Sequence, residues 1–189
     1  MIEQGSEEWH AQRLGKATAS RIADIMAKTK TGWGASRANY AAELVCERLT
    51  GKRAEGFTNA AMAFGTENEP LARAAYEFRH DVTVELASFI DHPRVAMSGA
   101  SPDGLIGDDG LIEIKVPNSA THIQTLLGGA IPEKYRLQMA WQMACTGRRY
   151  CDFVSFDPRL PEEMRMFVQR YERDDIMVRE LEQIGRAHV

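Results

Sequence analysis

The stretch Ser101-Pro102-Asp103-Gly104-Leu105-Ile106-Gly107-Asp108-Asp109-Gly110-Leu111-Ile112-Glu113-Ile114-Lys115-Val116-Pro117 predicts a β-hairpin. Gly107-Asp108-Asp109-Gly110 is a turn signal between two short apolar runs. Side chains alternate along a strand, so Leu111, Glu113 and Lys115 share one face while Ile112, Ile114 and Val116 share the other. An acid and a base therefore project side by side. Pairing across the turn brings Asp103 towards Glu113 at a low loop-closure cost. Two close carboxylates repel unless they share a proton or hold a cation. Oxygen ligands with open positions suit Mg²⁺ or Mn²⁺ rather than zinc, which usually recruits His or Cys, and no histidine lies in this block. A lysine two residues beyond one ligand can orient or help deprotonate an attacking water, and can stabilise negative charge at a phosphorus centre. The plain alternative is a solvated hairpin with an ordinary Glu–Lys pair.

Working outward, the period changes from strand to helix on both sides. Val82–Leu86, Val95–Ser98 and Tyr150–Ser155 read as further strands. Helices are predicted from Ser6 to Leu14, from Ala19 to about Lys28 with Thr18 or Ser20 as cap, and from Ser36 to about Thr50, stopping at Gly51. In the last of these, Tyr40, Leu44 and Leu49 form a core stripe. Residues 59–79 read as one or two helices, Pro70 allowing a kink or a fresh start. Further helices cover Ser119–Leu127, Glu133–Cys145 and Arg173–Ile184. Residues 29–34 read as a polar, basic loop. The result is an α/β or α+β fold, a mixed central sheet flanked by helices.

The chain has 189 residues, 44% of them apolar and 26% charged, which fits one globular domain and not a disordered or collagen-like chain. No apolar run reaches membrane-spanning length and no signal-peptide pattern opens the sequence, so a cytosolic location is expected. Cys46, Cys145 and Cys151 lack metal or disulfide spacing and read as buried thiols. Residues 1–53 carry nine Lys/Arg against six Asp/Glu, and residues 54–156 carry eight against thirteen. A basic first third and an acidic middle suit a protein that holds a polyanion with one part and a cation with another.

Pro102-Asp103 followed by Glu113-Ile114-Lys115 resembles the PD-(D/E)xK nuclease signature. That signature falls within four ordered blocks: Glu8-Trp9-His10-Ala11-Gln12-Arg13-Leu14-Gly15-Lys16-Ala17-Thr18-Ala19-Ser20, Phe64-Gly65-Thr66-Glu67-Asn68-Glu69, Ser101-Pro102-Asp103-Gly104-Leu105, and Gly110 to Pro117. Together they resemble the phage lambda exonuclease or YqaJ-like viral recombinase family over roughly residues 3–158. The resemblance implies a single nuclease domain over residues 1–189, with basic N-terminal helices to residue 53, a restriction-endonuclease-like core over 54–156 and a C-terminal helix. It implies an alkaline-type, Mg²⁺-dependent exonuclease acting 5′ to 3′ on one strand of linear duplex DNA, with Mn²⁺ as a substitute ion. Mononucleotides would be released and a 3′ single-stranded tail left. By the same resemblance the partners are double-stranded DNA ends, two further copies in a homotrimer, and a single-strand annealing protein of phage recombination. The setting is the cytoplasm of a bacterial host, with no membrane.

Carried across, Asp103 and Glu113 match the metal-binding carboxylates, the Ile114 carbonyl adds a ligand, Lys115 matches the catalytic lysine, and Glu69 matches a helix-borne acid near the metal. Arg13 and Ser20 match a 5′-phosphate pocket, which the physics favours: a guanidinium fork and a hydroxyl beside a helix start both suit phosphate. Gln138 falls where related nucleases carry a glutamine beside the site, although Gln142 stands where some place tyrosine; a plain amphipathic helix explains it equally. Trp33, with Lys28, Lys30 and Arg37 nearby, is a candidate DNA contact or local packing. The five histidines show no ligand spacing, and Met139 and Met143 read as core. A PD-(D/E)xK endonuclease or repair nuclease and a catalytically silent DNA-binding scaffold are the alternatives.

Overall fold

The predicted hairpin forms: Gly104–Ile106 pairs antiparallel with Gly110–Lys115, setting Gly104 opposite Ile112 and Ile106 opposite Gly110. A Cβ on Gly104 would lie 2.1 Å from Val84 Cγ1, so only glycine lets the neighbouring strand come this close. The computed structural model describes residue 2, residues 4–53 and residues 59–186. Within them the elements are α1 (Glu7–Arg13), β1 (Ala17–Thr18), α2 (Ile22–Met26), β2 (Lys28–Thr29), β3 (Gly32–Trp33), α3 (Ala35–Thr50), α4 (Ala60–His80), β4 (Val84–Glu85), β5 (Ile90–Asp91), β6 (Ser98–Ala100), β7 (Gly104–Ile106) and β8 (Gly110–Lys115). There follow α5 (Ser119–Gly128), α6 (Glu133–Thr146), β9 (Tyr150–Phe156), β10 (Met166–Glu172) and α7 (Asp175–Arg186).

The main sheet has the order β10-β9-β8-β7-β4. Only β8 and β9 run parallel in it, Gly110 opposite Tyr150 and Lys115 opposite Ser155, so the sheet is mixed as expected. A parallel pair needs a long crossover, and α5 and α6 supply it. The alternation along β8 sorts the core into two layers. Ile112 and Ile114 pack with Ala72 and Tyr76 of α4; Leu111 packs with Met139 and Met143 of α6 and with Cys151 and Phe153 of β9. Full burial of each such side chain contributes roughly 1.5–3 kcal/mol. Glu113 points into the α6 side of this sandwich. A small sheet, β1-β6-β5, places α1 and the start of β7 side by side.

Side-chain caps begin α1, α4 and α5. The Ser6 hydroxyl accepts the Trp9 N–H (3.2 Å), and the side-chain oxygens of Asn59 and Asn118 accept the N–H groups of Met62 and Thr121 at 2.9 Å. Gly51, at φ +64°, ends α3 as predicted. Residues 60–80 form one helix through Pro70.

Several expectations are corrected. The helix from Ala19 is a 3-10 turn over Ala19–Arg21 followed by five residues of α2, with no side-chain cap bond from Thr18. The loop at 29–34 is a β2–β3 hairpin, closed where the Gly34 N–H donates to the Ala27 carbonyl (2.8 Å). The strand at Val95–Ser98 moves to Ser98–Ala100, because the His92 Nδ1 accepts the N–H groups of Arg94 and Val95 (3.1 Å each) and folds that stretch into turns. Leu49 is 82% exposed and lies outside the core. Cys46 is exposed, while Cys145 and Cys151 are buried as expected. Strands β5 and β10 were not anticipated, and the last helix starts at Asp175 and not Arg173.

Candidate active site

Glu113 is the centre of the site because β8 carries it, fully buried, against the face of α6. Gln138 and Gln142 stand one turn apart on α6, so their side chains project from the same side. The Gln138 amide donates to Glu113 Oε1 (2.7 Å) and the Gln142 amide to Oε2 (2.6 Å). The Lys115 ammonium pairs with Oε1 as well. Burying a carboxylate without such donors would cost several kcal/mol. Burial works against charge on Lys115, but the carboxylates of Glu113 and then Asp103 outweigh it and hold its pKa above the usual range. The Tyr135 ring, stacked on Phe153, lies 5.3 Å from its nitrogen.

Asp103 directly precedes β7, and continuing the ladder by one residue sets it across from Glu113. Its Oδ2 accepts the Ile114 N–H (2.7 Å), a donor that β7 ends too soon to reach. Burial, then the charge of Glu113, pushes the Asp103 pKa well above the ordinary carboxylate range; Lys115 pulls the other way and Glu69 adds to the rise. Glu69, on α4, is likewise raised by burial first, with Arg73 and Lys115 opposing and Glu113 adding. Its Oε1 accepts from Arg73 Nη2 (2.5 Å), and the Arg73 Nε is buried with no hydrogen-bond partner among the described residues.

The structure therefore brings Asp103, Glu113, Ile114, Lys115, Glu69 and Gln138 into mutual influence. Among the described residues no group of three or more His, Cys, Asp or Glu side chains is drawn together tightly enough to form a ready-made metal cage. The donor set nevertheless fits a hard divalent ion. The charge of Glu113 adds to the raised pKa of the buried Asp103, and the groups available as ligands are oxygens, the preference of Mg²⁺ and Mn²⁺ with waters completing the shell.

Arg13 is tied to Ser101, two residues before Asp103. Its guanidinium sits 4.0 Å over the Trp9 ring. It donates to the Ser101 hydroxyl (3.1 Å), which also accepts from Trp9 Nε1 (3.0 Å). Burial lowers the Arg13 pKa to about 10, Tyr40 and Glu47 opposing and Arg53 adding. Arg13 and Ser20 line one cavity of about 340 Å³ together with His10, Lys16, Arg21, Arg53 and Tyr40. Acids on its wall are already bonded: Glu43 to Arg21 (3.0 and 3.1 Å) and Glu47 to the Gly15 N–H (2.8 Å). Ser20 is exposed and its hydroxyl bonds that of Thr18 (3.2 Å).

Trp33 stands apart from this group, on β3, 48% exposed, with the Arg37 guanidinium 4.1 Å over its ring. His122 is buried in bonds to Ser155 (2.7 Å) and the Met164 carbonyl (2.8 Å); His188 lies outside the described residues. Met139 and Met143 are core. Sequence reasoning missed Gln142 and Ser101 as site residues. The four-residue spacing from Gln138 was the available signal for the first; for the second it was the position two residues before Asp103.

Residues 8–149 match the YqaJ-like viral recombinase domain. The alkaline exonuclease LHK-Exo from Laribacter hongkongensis is 55% identical over 97% of this chain and 90% of its own, with a TM-score of 0.91; its complex with dAMP matches equally well. A phage-related exonuclease from Haemophilus somnus 129PT shares the fold at 15% identity and TM-score 0.69, covering 92% of each chain. A comparison with curated proteins finds no match. With three-quarters of its length in that match and its acids, lysine and arginine gathered as described, the chain belongs to the YqaJ-like viral recombinase family.

Proposed function

We propose that the protein, an alkaline-type exonuclease of the YqaJ and lambda exonuclease kind, is Mg²⁺-dependent and degrades one strand of linear duplex DNA from its 5′ end, releasing mononucleotides and leaving a 3′ tail. The observation that carries this reading is the short connection between two sites. Ser101, which holds Arg13, stands two residues before Asp103, which grips the strand carrying Glu113 and Lys115. A terminal phosphate held by Arg13, with Ser20 on the same cavity wall, would set the next phosphodiester near the carboxylates and so choose strand polarity. Arginine offers phosphate a fork of donors.

Asp103, Glu113, the Ile114 carbonyl and Glu69 are the residues to hold the ion. A divalent cation held there would lower the pKa of water and neutralise charge on the scissile phosphate and leaving oxygen. Lys115 brings a positive hydrogen-bond donor to the same place, suited to orient the attacking water and to stabilise charge developing on phosphorus. Gln138 and Gln142 orient Glu113 through their amide hydrogen bonds. The dAMP bound by LHK-Exo is a nucleoside monophosphate, the kind of product that stepwise release leaves. In this reading the protein works as a homotrimer beside a single-strand annealing protein in phage-type recombination, inside a bacterial host. Among the described residues no helix is long and apolar enough to cross a membrane.

The deciding experiment digests end-labelled linear duplex with and without Mg²⁺, on 5′-phosphate and 5′-hydroxyl ends, with closed circular DNA as control. Mg²⁺-dependent release of labelled mononucleotides from 5′-phosphorylated linear ends is the expected result. Cleavage of closed circles would favour an endonuclease, and binding without cleavage a silent scaffold.

A further inference from the structure

Gln142 and Gln138 both donate to Glu113, but their places differ. Oε1 of Glu113 has two donors, the Gln138 amide (2.7 Å) and the Lys115 ammonium. Oε2 has the Gln142 amide (2.6 Å). Without Gln138, Lys115 still holds Oε1; without Gln142, Oε2 has no remaining hydrogen bond to a described residue. The terminal torsion of a glutamate is broad, so a carboxylate held at one oxygen can swing. Gln142 is itself tightly held. It is fully buried between Met139 and Met143 on α6, and its Oε1 faces the Cys151 thiol (3.9 Å). Turning the amide over would aim its oxygen at the Glu113 carboxylate, so this environment fixes its orientation too.

We propose that Gln142 is the positioning residue that aims Glu113 at its cation, and that Gln138 is the lesser partner. The inference rests on the metal-dependent reading of this site given above. Partners one bond away from a metal ligand set its orientation, and losing one typically weakens metal affinity 10- to 100-fold. A residue that only fills the core would alter stability and leave affinity for the ion unchanged.

The test is Mn²⁺ binding measured by calorimetry on the full chain without DNA. Gln142→Met, which keeps length and burial but removes the donor, is expected to weaken Mn²⁺ binding about 10- to 100-fold. Gln138→Met is expected to weaken it less, and in a Glu113→Gln background Gln142→Met is expected to change the residual binding no further. Wild-type affinity in folded Gln142→Met, or a larger loss in Gln138→Met, overturns the proposal. Should Gln142→Met fail to fold, Gln142→Asn keeps the amide but falls one methylene short of Oε2. The same drop is expected there, and wild-type affinity would again overturn it. Failure of the wild-type chain to bind Mn²⁺ at all would overturn the metal-dependent reading together with this one, whereas normal wild-type binding beside an indifferent Gln142→Met overturns this one alone.

Discussion

Lys115 is paired with a buried carboxylate and held charged by it, so its removal takes a fixed positive group from the site without opening the core. Lys115→Ala is expected to lower the single-turnover cleavage rate at least 10²- to 10³-fold while DNA binding by gel shift stays largely intact; near-normal turnover would remove its catalytic role. Arg13→Ala is expected to erase most of the preference for 5′-phosphorylated over 5′-hydroxyl ends, and an unchanged ratio of the two rates would count against the phosphate pocket. Asp103, Glu113 and Lys115 were legible in the sequence because a tight turn and strand alternation are local rules. Gln142 was not, since a four-residue spacing gains meaning only once α6 is known to cover the Glu113 face of β8. Ser101 needed the docking of α1, a contact between residues 88 and 92 positions apart.

At the scale of elements, α7 packs into the core through Val178 and Leu181 and meets one buried histidine. The buried His92 accepts two backbone N–H groups at Nδ1, so its proton sits on Nε2, which faces Glu182 of α7 at 3.5 Å. Arg94 reaches the same Glu182 oxygen (3.1 and 2.5 Å). Burial lowers the His92 pKa below its usual 6.5 even though Glu182 pulls upward; Arg94, Arg186 and Arg173 add to the fall. The unfolded chain therefore takes up this proton first as pH drops. Stability from this group is complete above about pH 6.5 and declines below it. The thermal midpoint is expected to fall between pH 7 and pH 5 by more in the wild type than in His92→Asn, and equal slopes would sink the assignment. Gly51→Ala, forced to φ +64°, is expected to destabilise α3 by about 1 kcal/mol in urea unfolding. Helices with a cap or a stop glycine were readable; β10 was not, because its exposure follows no clean two-residue alternation and its pairing with β9 is settled across the fold. The turn at Val95 escaped because, beside Pro93, the His92 side chain sets it by accepting the Arg94 and Val95 N–H groups.

At the scale of the whole molecule, the mixed sheet and its two apolar layers were visible as a class, whereas the strand order was not, since register between β8 and β9 depends on a crossover rather than on any short pattern. The proposed homotrimer predicts a sedimenting species three times the mass of the chain, persisting on dilution; a monomer that still digests DNA processively would contradict it. The parallel β8–β9 pair also bears on how the protein is made. Residues 116–149 must be synthesised and folded back before β9 can dock on β8, a slow kind of closure. During translation Asp103, Glu113 and Lys115 leave the ribosome on a hairpin that lacks α6 and β9. Chains stalled before Glu133 would thus carry Asp103, Glu113, Lys115 and Glu69 without Gln138, Gln142 or β9, so the proposed site stays incomplete until the crossover has been made.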